Sequence, residues 1–441
     1  MAARSLVAGA LSIVVLASDM TASAQTTGSG VRTFDVEFFS SFNVQTALEI
    51  VEQVPGFTFQ DSDSSQRGFT GSAGNVLINT RRPRGKSDRL SDILRRIPVR
   101  NIERIELVRG GAPGYQTAGQ AVVVNLVLKD EASTTRSVFL EGRAYQDGVV
   151  RPTGEFSQIT TTGNRTTTLG AEFFSDHNPW KGTETTRLPS GEITLRRRFR
   201  DPWYYSEPIV SLNHEQALSP RIFIGTQGRI RTFNFERKGI FRRFEPDADG
   251  MLAPTTVDSS ETDRWGENLE TTTEILVDVL DNLQINTTLQ ASRYRFTDDS
   301  FTDDGETGIL TKSRRSGKDY EFLGRTMIVT NLGSAEYSAG IEGSHNSRDQ
   351  TTRLNVDEGY GPEDVELPGA SAKVTEERYE AFGLVRRPLG AGLNLEAGMR
   401  YEWSTLGRQG EDENERDFSV LKPEMRLRYQ QTPQRQFFLN G

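Results

Sequence analysis

The sequence predicts a compact α+β domain followed by antiparallel transmembrane β-barrel strands, and three observations predict it. Up to about residue 133, short helical stripes alternate with short apolar runs, the texture of a mixed domain. Beyond residue 134, long segments alternate between apolar and polar residues, the period of strands with one apolar face. The connections between those segments alternate between tight turns and long polar stretches, as in outer-membrane barrels with short periplasmic turns and long extracellular loops.

Residues 1–24 read as a secretory signal peptide. Arg4 gives a positive start, Leu6 to Ala17 an apolar segment, and Ala22-Ser23-Ala24 a cleavage site, so the mature chain is expected to begin near Gln25. That apolar segment is too short to span a bilayer, and no other stretch approaches the roughly 20 apolar residues of a membrane helix. The absence of cysteine removes disulfides and thiol chemistry, and His177, His214 and His345 are too scattered to suggest a metal site. No Ser/His/Asp set or paired carboxylates suggest catalysis, so the expectation is no enzyme and no cofactor. Asp298, Asp299, Asp303 and Asp304 cluster without Ca²⁺-loop spacing and read as a solvated loop.

The first domain is expected over residues 25–133. Val44, Ala47, Leu48 and Val51 make the stripe of a short helix stopped by Pro55 and Gly56; a second runs from about Ser87 to Arg96, with Leu90, Ile93 and Leu94 inward. Strands are expected at Val76 to Asn79, Ile102 to Val108 and Ala121 to Leu128, and Arg32 to Val36 is either a first strand or a free extended box. Gly68, Gly71, Gly74, Gly110, Gly111 and Gly114 lack nucleotide-binding spacing and read as turn glycines with positive φ. Residues 81–109 carry ten Lys or Arg against four Asp or Glu, whereas the chain after residue 133 is acidic. For an exported chain this points to a partner within the same molecule, not to nucleic acid.

The barrel portion is expected over residues 134–441. Leu393, Leu395, Ala397, Met399, Tyr401 and Trp403 alternate with polar residues, as do Leu421, Met425, Leu427 and Tyr429. Tight turns fall at Gly163-Asn164, Ser219-Pro220, Asp281-Asn282, Leu332-Gly333, Leu389 to Gly392 and Thr432-Pro433. Long polar connections are expected near 176–204, 236–267, 298–317, 347–373 and 407–416. About twelve strands precede Gln431, and another begins at Gln436.

Five segments in order, Pro55-Gly56-Phe57, Arg67-Gly68-Phe69, Asn75 to Asn79, Ile102 to Gly110 and Ala121 to Lys129, resemble the plug domain of TonB-dependent outer-membrane receptors. The resemblance implies an active importer in the outer membrane of a Gram-negative bacterium. It would be energised by a TonB-type protein through the N-terminal segment, and it would import a scarce nutrient, foremost a ferric siderophore. Outer-membrane lipid and lipopolysaccharide are the expected surroundings. Such barrels close at about 22 strands, so the chain reads as the N-terminal part of a longer receptor. The alternatives are a passive porin-like or structural barrel protein, or a surface-signalling receptor. The resemblance further implies that Arg81, Arg82, Arg84 and Lys86 face an anionic ligand, beside Gln60 to Ser65 and Thr70 to Ala73. It also implies that Arg67 and Arg109 fasten plug to barrel, with Glu103 and Glu106 as local partners.

Overall fold

The computed structural model describes residues 30–61, 74–83, 89–109, 115, 120, 122–129, 132–390, 392–410, 413–432 and 435–440. The expected signal peptide, Arg67, Arg84, Lys86 and the stretch Thr70 to Ala73 lie outside them. Strands β1 (Val31–Asp35), β2 (Val76–Ile78), β3 (Ile102–Arg109) and β4 (Val122–Leu128) form one sheet in the order β1-β3-β4-β2, with β2 parallel to β4 and the other pairs antiparallel. The stretch from Arg32 is thus a folded edge strand with Phe34 buried, not a free box.

Helix α1 (Ala47–Glu52) begins where the Thr46 side chain accepts the Glu49 N–H, one turn later than the apolar stripe alone suggests. Helix α2 (Leu90–Arg95) buries Leu90 and Leu94. These side chains meet Ile50, Val51, Ile105, Val124 and Leu126, and Phe39 joins them from a 3-10 segment over Val36–Phe42. Burying such side chains contributes about 1.5–3 kcal/mol each, which holds a sheet whose strands are short. Gly74 has no positive φ, unlike the turn role expected for it. It permits close approach instead, since a Cβ there would lie 2.3 Å from the Gln60 carbonyl oxygen.

The second unit is an antiparallel wall. Its elements are β5 (Ser133–Ala144), β6 (Val150–Thr162), β7 (Arg165–Asn178), β8 (Lys181–Arg187), β9 (Ile193–Arg200), β10 (Trp203–Ser219), β11 (Ile222–Pro246), β12 (Leu252–Leu280), β13 (Leu283–Asp304), β14 (Ile309–Leu332), β15 (Ala335–Asp357), β16 (Glu363–Val365), β17 (Ser371–Gly390), β18 (Leu393–Gly410), β19 (Asn414–Thr432) and β20 (Arg435–Asn440). Neighbours follow chain order from β5 to β20, with β8, β9 and β16 branching off, and the sheet is open at β5 and β20. Leaving out the branches, twelve wall strands start before Gln431 and β20 follows, as the alternation predicts. The wall is inverted relative to a soluble protein. Leu212, Ile230, Leu289, Ile341, Met399 and Trp403 are exposed, while Ser211, Arg229, Gln290, Glu342 and Glu380 are buried on the other face. An apolar outer face over a polar inner one is the arrangement of a membrane barrel.

The tight turns at 163–164, 219–220, 281–282 and 332–333 lie where expected, while those at 389–392 and 432–433 include Ala391 and Pro433, outside the described residues. The long polar connections do not remain loops. The ladder of β11 and β12 continues to Pro246 paired with Leu252, and that of β13 and β14 to Asp304 paired with Ile309. The 176–204 stretch folds into the β8–β9 hairpin, which pairs with β11. The aspartate cluster accordingly lies on β13, not on a loop. Asp298 meets Arg264 and Arg315, Asp299 meets Arg314, and Asp304 accepts the Glu306 and Thr307 N–H groups in the turn.

Candidate functional site

The N-terminal domain touches the inner face of the wall at several places, and the first is a tight turn. Ile78 and Arg81 exchange both backbone hydrogen bonds, at 2.8 and 3.1 Å, around Asn79 and Thr80, whose φ angles are 48° and 67°. Two successive positive φ angles mark a type I′ turn. Asn side chains brace it: Asn125 Oδ1 accepts the Thr80 N–H at 2.7 Å, and Asn79 Oδ1 accepts the Leu128 N–H at 2.9 Å. The turn directs Arg81 onto the wall, where its guanidinium carbon lies 3.4 Å from the ring centroid of Phe223, the second residue of β11. Arg82 donates to the Gly74 carbonyl at 2.9 Å. Burial, and then the charge of Arg386 on β17, push the Arg82 pKa down to about 10. Arg386 itself is held by Glu336 on β15 at 2.8 Å and Glu396 on β18 at 2.9 Å.

The second contact is built on α2. Arg96, its C-cap, is 6% exposed, and its guanidinium pairs with the carboxylate of Glu172 on β7. Gly170 lies beside the pair: a Cβ there would meet Arg96 Nε at an ordinary 3.7 Å but Ser211 Oγ at 2.5 Å, so the glycine makes room for Ser211. Ser157 Oγ on β6 donates to the Arg96 carbonyl at 3.4 Å, and Ile159 two residues on joins the N-terminal domain's own core. A third contact follows the connection into the wall, where Thr135 Oγ1 donates to Asn101 Oδ1 at 2.9 Å and Arg100 donates to the Arg136 carbonyl at 3.1 Å. Phe223, Ser157, Ile159, Thr135, Arg136 and Arg386 lie in the halves of their strands nearer the tight turns, or nearer the entry into β5, and Glu172 lies at the middle of β7.

Arg81 and Arg82 are two of the four cations expected to face a ligand. Arg81 stacks on the wall close to the tight-turn edge, on the side opposite the long hairpins, and Arg82 lies in the same turn. Of the residues expected to fasten plug to barrel, Arg67 lies outside the described residues. Arg109 reaches the Gly56 carbonyl at 3.5 Å, within its own domain. Glu106 is the hub of an internal network: it accepts from Arg104 at 2.9 Å, from Asn125 at 2.7 Å and from Tyr115 at 2.9 Å, while Glu103 meets Arg104 at 2.6 Å. Burial, and then the Glu106 carboxylate, push the Tyr115 pKa up to about 12. Arg96 and Glu172 were not singled out from sequence. The signal that pointed to them was the excess of cations over residues 81–109 facing an acidic remainder.

Residues 23–122 match the TonB-dependent Receptor Plug Domain. Among solved structures, the chain is similar to the siderophore receptor PiuA from Acinetobacter baumannii, with 11% identity and a TM-score of 0.41 over 91% of this chain and 62% of that one. It is similar to the ferric-catecholate import receptor Fiu from E. coli K12, with 13% identity and a TM-score of 0.41 over 95% and 65%. It is also similar to BauA, the ferric preacinetobactin receptor from Acinetobacter baumannii, with 11% identity and a TM-score of 0.43 over 93% and 63%. The chain spans less than two thirds of the length of these three. No curated protein matches it. At such TM-scores the plug match carries the assignment, together with a small mixed domain seated against a polar-faced open sheet. The chain carries a TonB-dependent receptor plug domain over residues 23–122, followed by an open antiparallel wall of the membrane-barrel kind.

Proposed function

We propose that the protein serves as an active transport receptor of the outer membrane, importing a scarce nutrient of the ferric-siderophore class with energy from a TonB-type partner. The observation that supports this best is the seating of the plug. A few discrete contacts, with Arg96 on Glu172 and Arg81 on Phe223 foremost, hold it against the inner face of the wall. Contacts of this kind contribute on the order of 0.5–3 kcal/mol each, so a pulled plug can release them in turn. Force on the N-terminal segment would act first on β1, the edge strand of the plug sheet, which joins β3 from Val31 opposite Val108 to Asp35 opposite Arg104. Arg84 and Lys86 would offer cations to an anionic ferric chelate, since a guanidinium grips a carboxylate bidentately.

Uptake of a labelled ferric chelate by cells carrying the receptor, with and without the energising protein, tests this reading. Uptake that needs the energising protein is expected. Uptake indifferent to it would favour a passive barrel and overturn the proposal.

A further inference from the structure

Glu155 on β6 and Glu172 on β7 stand directly opposite each other on the inner face of the wall. Like charges at facing positions of adjacent strands are unfavourable, and their Cβ atoms lie only about 5 Å apart. Glu172 has the Arg96 guanidinium as its partner. Glu155 is partly buried beside it, and no cation of the described residues lies within ion-pair distance of it. The seating of the plug thus accounts for one carboxylate of the two.

The pair is set in neutral surroundings. Across the wall, Phe139 on β5 is opposite Glu155, and Ile209 on β10 is opposite Glu172. Along the strands the same face continues with Thr153 and Ser157 on β6 and with Gly170 and Phe174 on β7. A guanidinium that leaves Glu172 therefore meets an apolar side chain toward β10 and a carboxylate toward β6.

Arg96 is placed to make that move. Its carbonyl already accepts from Ser157 Oγ on β6 at 3.4 Å, and Ile159 on β6 joins the plug core, so the end of α2 is anchored to β6 while its side chain reaches β7. Adjacent strands lie about 4.8 Å apart, a span that the long arginine side chain covers by rotation about its own bonds while the hydrogen bond at its carbonyl is kept. The charged groups around Glu155 are Glu172, Arg96, Arg95 and Asp92. Arg95 pairs with Asp92 at 3.2 Å, which leaves Arg96 as the cation for Glu155.

We infer that Glu155 and Glu172 form a two-position seat for Arg96, so that the plug can pivot from β7 toward β6 without losing its ion pair. The chain leaves the plug through β5, the neighbour of β6, so the pivot turns α2 toward the plug's own tether. A plug under load would in this way yield by one strand spacing before its principal fastening breaks. The inference concerns how the plug is held and does not depend on what the receptor carries.

The test is hydrogen exchange of the α2 amides in the full chain in detergent, with glutamine substitutions that keep the shape of each side chain. Arg96→Gln empties the seat and should lower protection by about tenfold or more. Glu172→Gln should lower it by about threefold or less, because Arg96 passes to Glu155, and Glu155→Gln should do the same. The double variant Glu155→Gln/Glu172→Gln should fall to the level of Arg96→Gln. Since the chain has no cysteine, spin labels on Arg95→Cys and Val210→Cys report the position of α2 relative to β10, and their separation should lengthen in Glu172→Gln. Glu172→Gln as unprotected as Arg96→Gln or as the double variant overturns the inference. So does wild-type protection in Arg96→Gln, and so does protection retained in Glu172→Gln with no change in the label separation.

Discussion

Arg96 at the end of plug helix α2 and Glu172 on wall strand β7 form an ion pair across the interface between the two units, with Arg96 6% and Glu172 19% exposed. Removing one partner of such a pair costs more than the pair itself contributes, because the other charge is left in a poorly solvated place. The surroundings are fitted to the pair. Ser157 fixes the Arg96 carbonyl, and Ile159 extends the plug core into the wall.

The stacking of Arg81 on Phe223 is expected to act as a second, weaker fastening. Phe223→Ala should lower protection of the 78–82 turn from hydrogen exchange by about 0.5–2 kcal/mol, while Arg81→Lys should keep part of it. Unchanged protection in Phe223→Ala would show that the contact carries no load.

Thr80 is a β-branched residue at φ 67°, a conformation that costs an L-residue about 1–2 kcal/mol. Thr80→Gly should therefore stabilise the plug by about 1 kcal/mol in chemical denaturation, because an Asn-Gly pair suits a type I′ turn. Destabilisation by this substitution would mean that the Thr80 side chain contributes more than its backbone strain costs.

Acid should loosen the turn between β5 and β6. Both ring nitrogens of the buried His177 face acceptors, with Asp147 Oδ2 at 2.8 Å from Nε2 and the Trp203 carbonyl oxygen at 2.8 Å from Nδ1. The ring stacks on Tyr204, 4.4 Å away between centroids, and Tyr145, Asp176 and Arg143 complete the polar cluster. The hydrogen bond from His177, and then the Val149 N–H, hold the Asp147 carboxyl below its ordinary range. A carboxyl with a depressed native pKa stabilises the fold above its unfolded value, and that stabilisation is lost as pH falls through the native value. Pepsin should thus cut the 145–149 turn increasingly below about pH 4, and Asp147→Asn should be cut more readily than wild type at pH 5. Equal cutting of the two at pH 5 would remove His177 and Asp147 as the clasp.

Local chemistry announced much of this architecture. Gly163-Asn164 and Asp281-Asn282 mark turns because of their backbone preferences, and Leu393 to Trp403 alternates because one side of β18 is apolar and the other lines the interior. Alternation fails as a signal once both faces of a strand are wet, which is why Arg237 to Pro246 and Asp258 to Arg264 read as loop yet form a continuous ladder. The fastening was illegible for another reason. Arg96 lies off the inward stripe of Leu90 and Leu94, and its partner is 76 residues away, so only three-dimensional placement distinguishes it from Arg95, which pairs locally with Asp92. The same holds for Glu106, whose partners Asn125 and Tyr115 are met only when β3 and β4 pair.

The most direct test of plug seating is a charge exchange at its principal contact, read by hydrogen exchange of the α2 and β3 amides in the detergent-solubilised protein. Arg96→Glu and Glu172→Arg should each lower protection by about 1.5–3 kcal/mol, and the double exchange Arg96→Glu/Glu172→Arg should recover most of the loss. Wild-type protection in both single variants, or a double variant as unprotected as the sum of the two, would contradict the claim that this pair holds the plug to the wall.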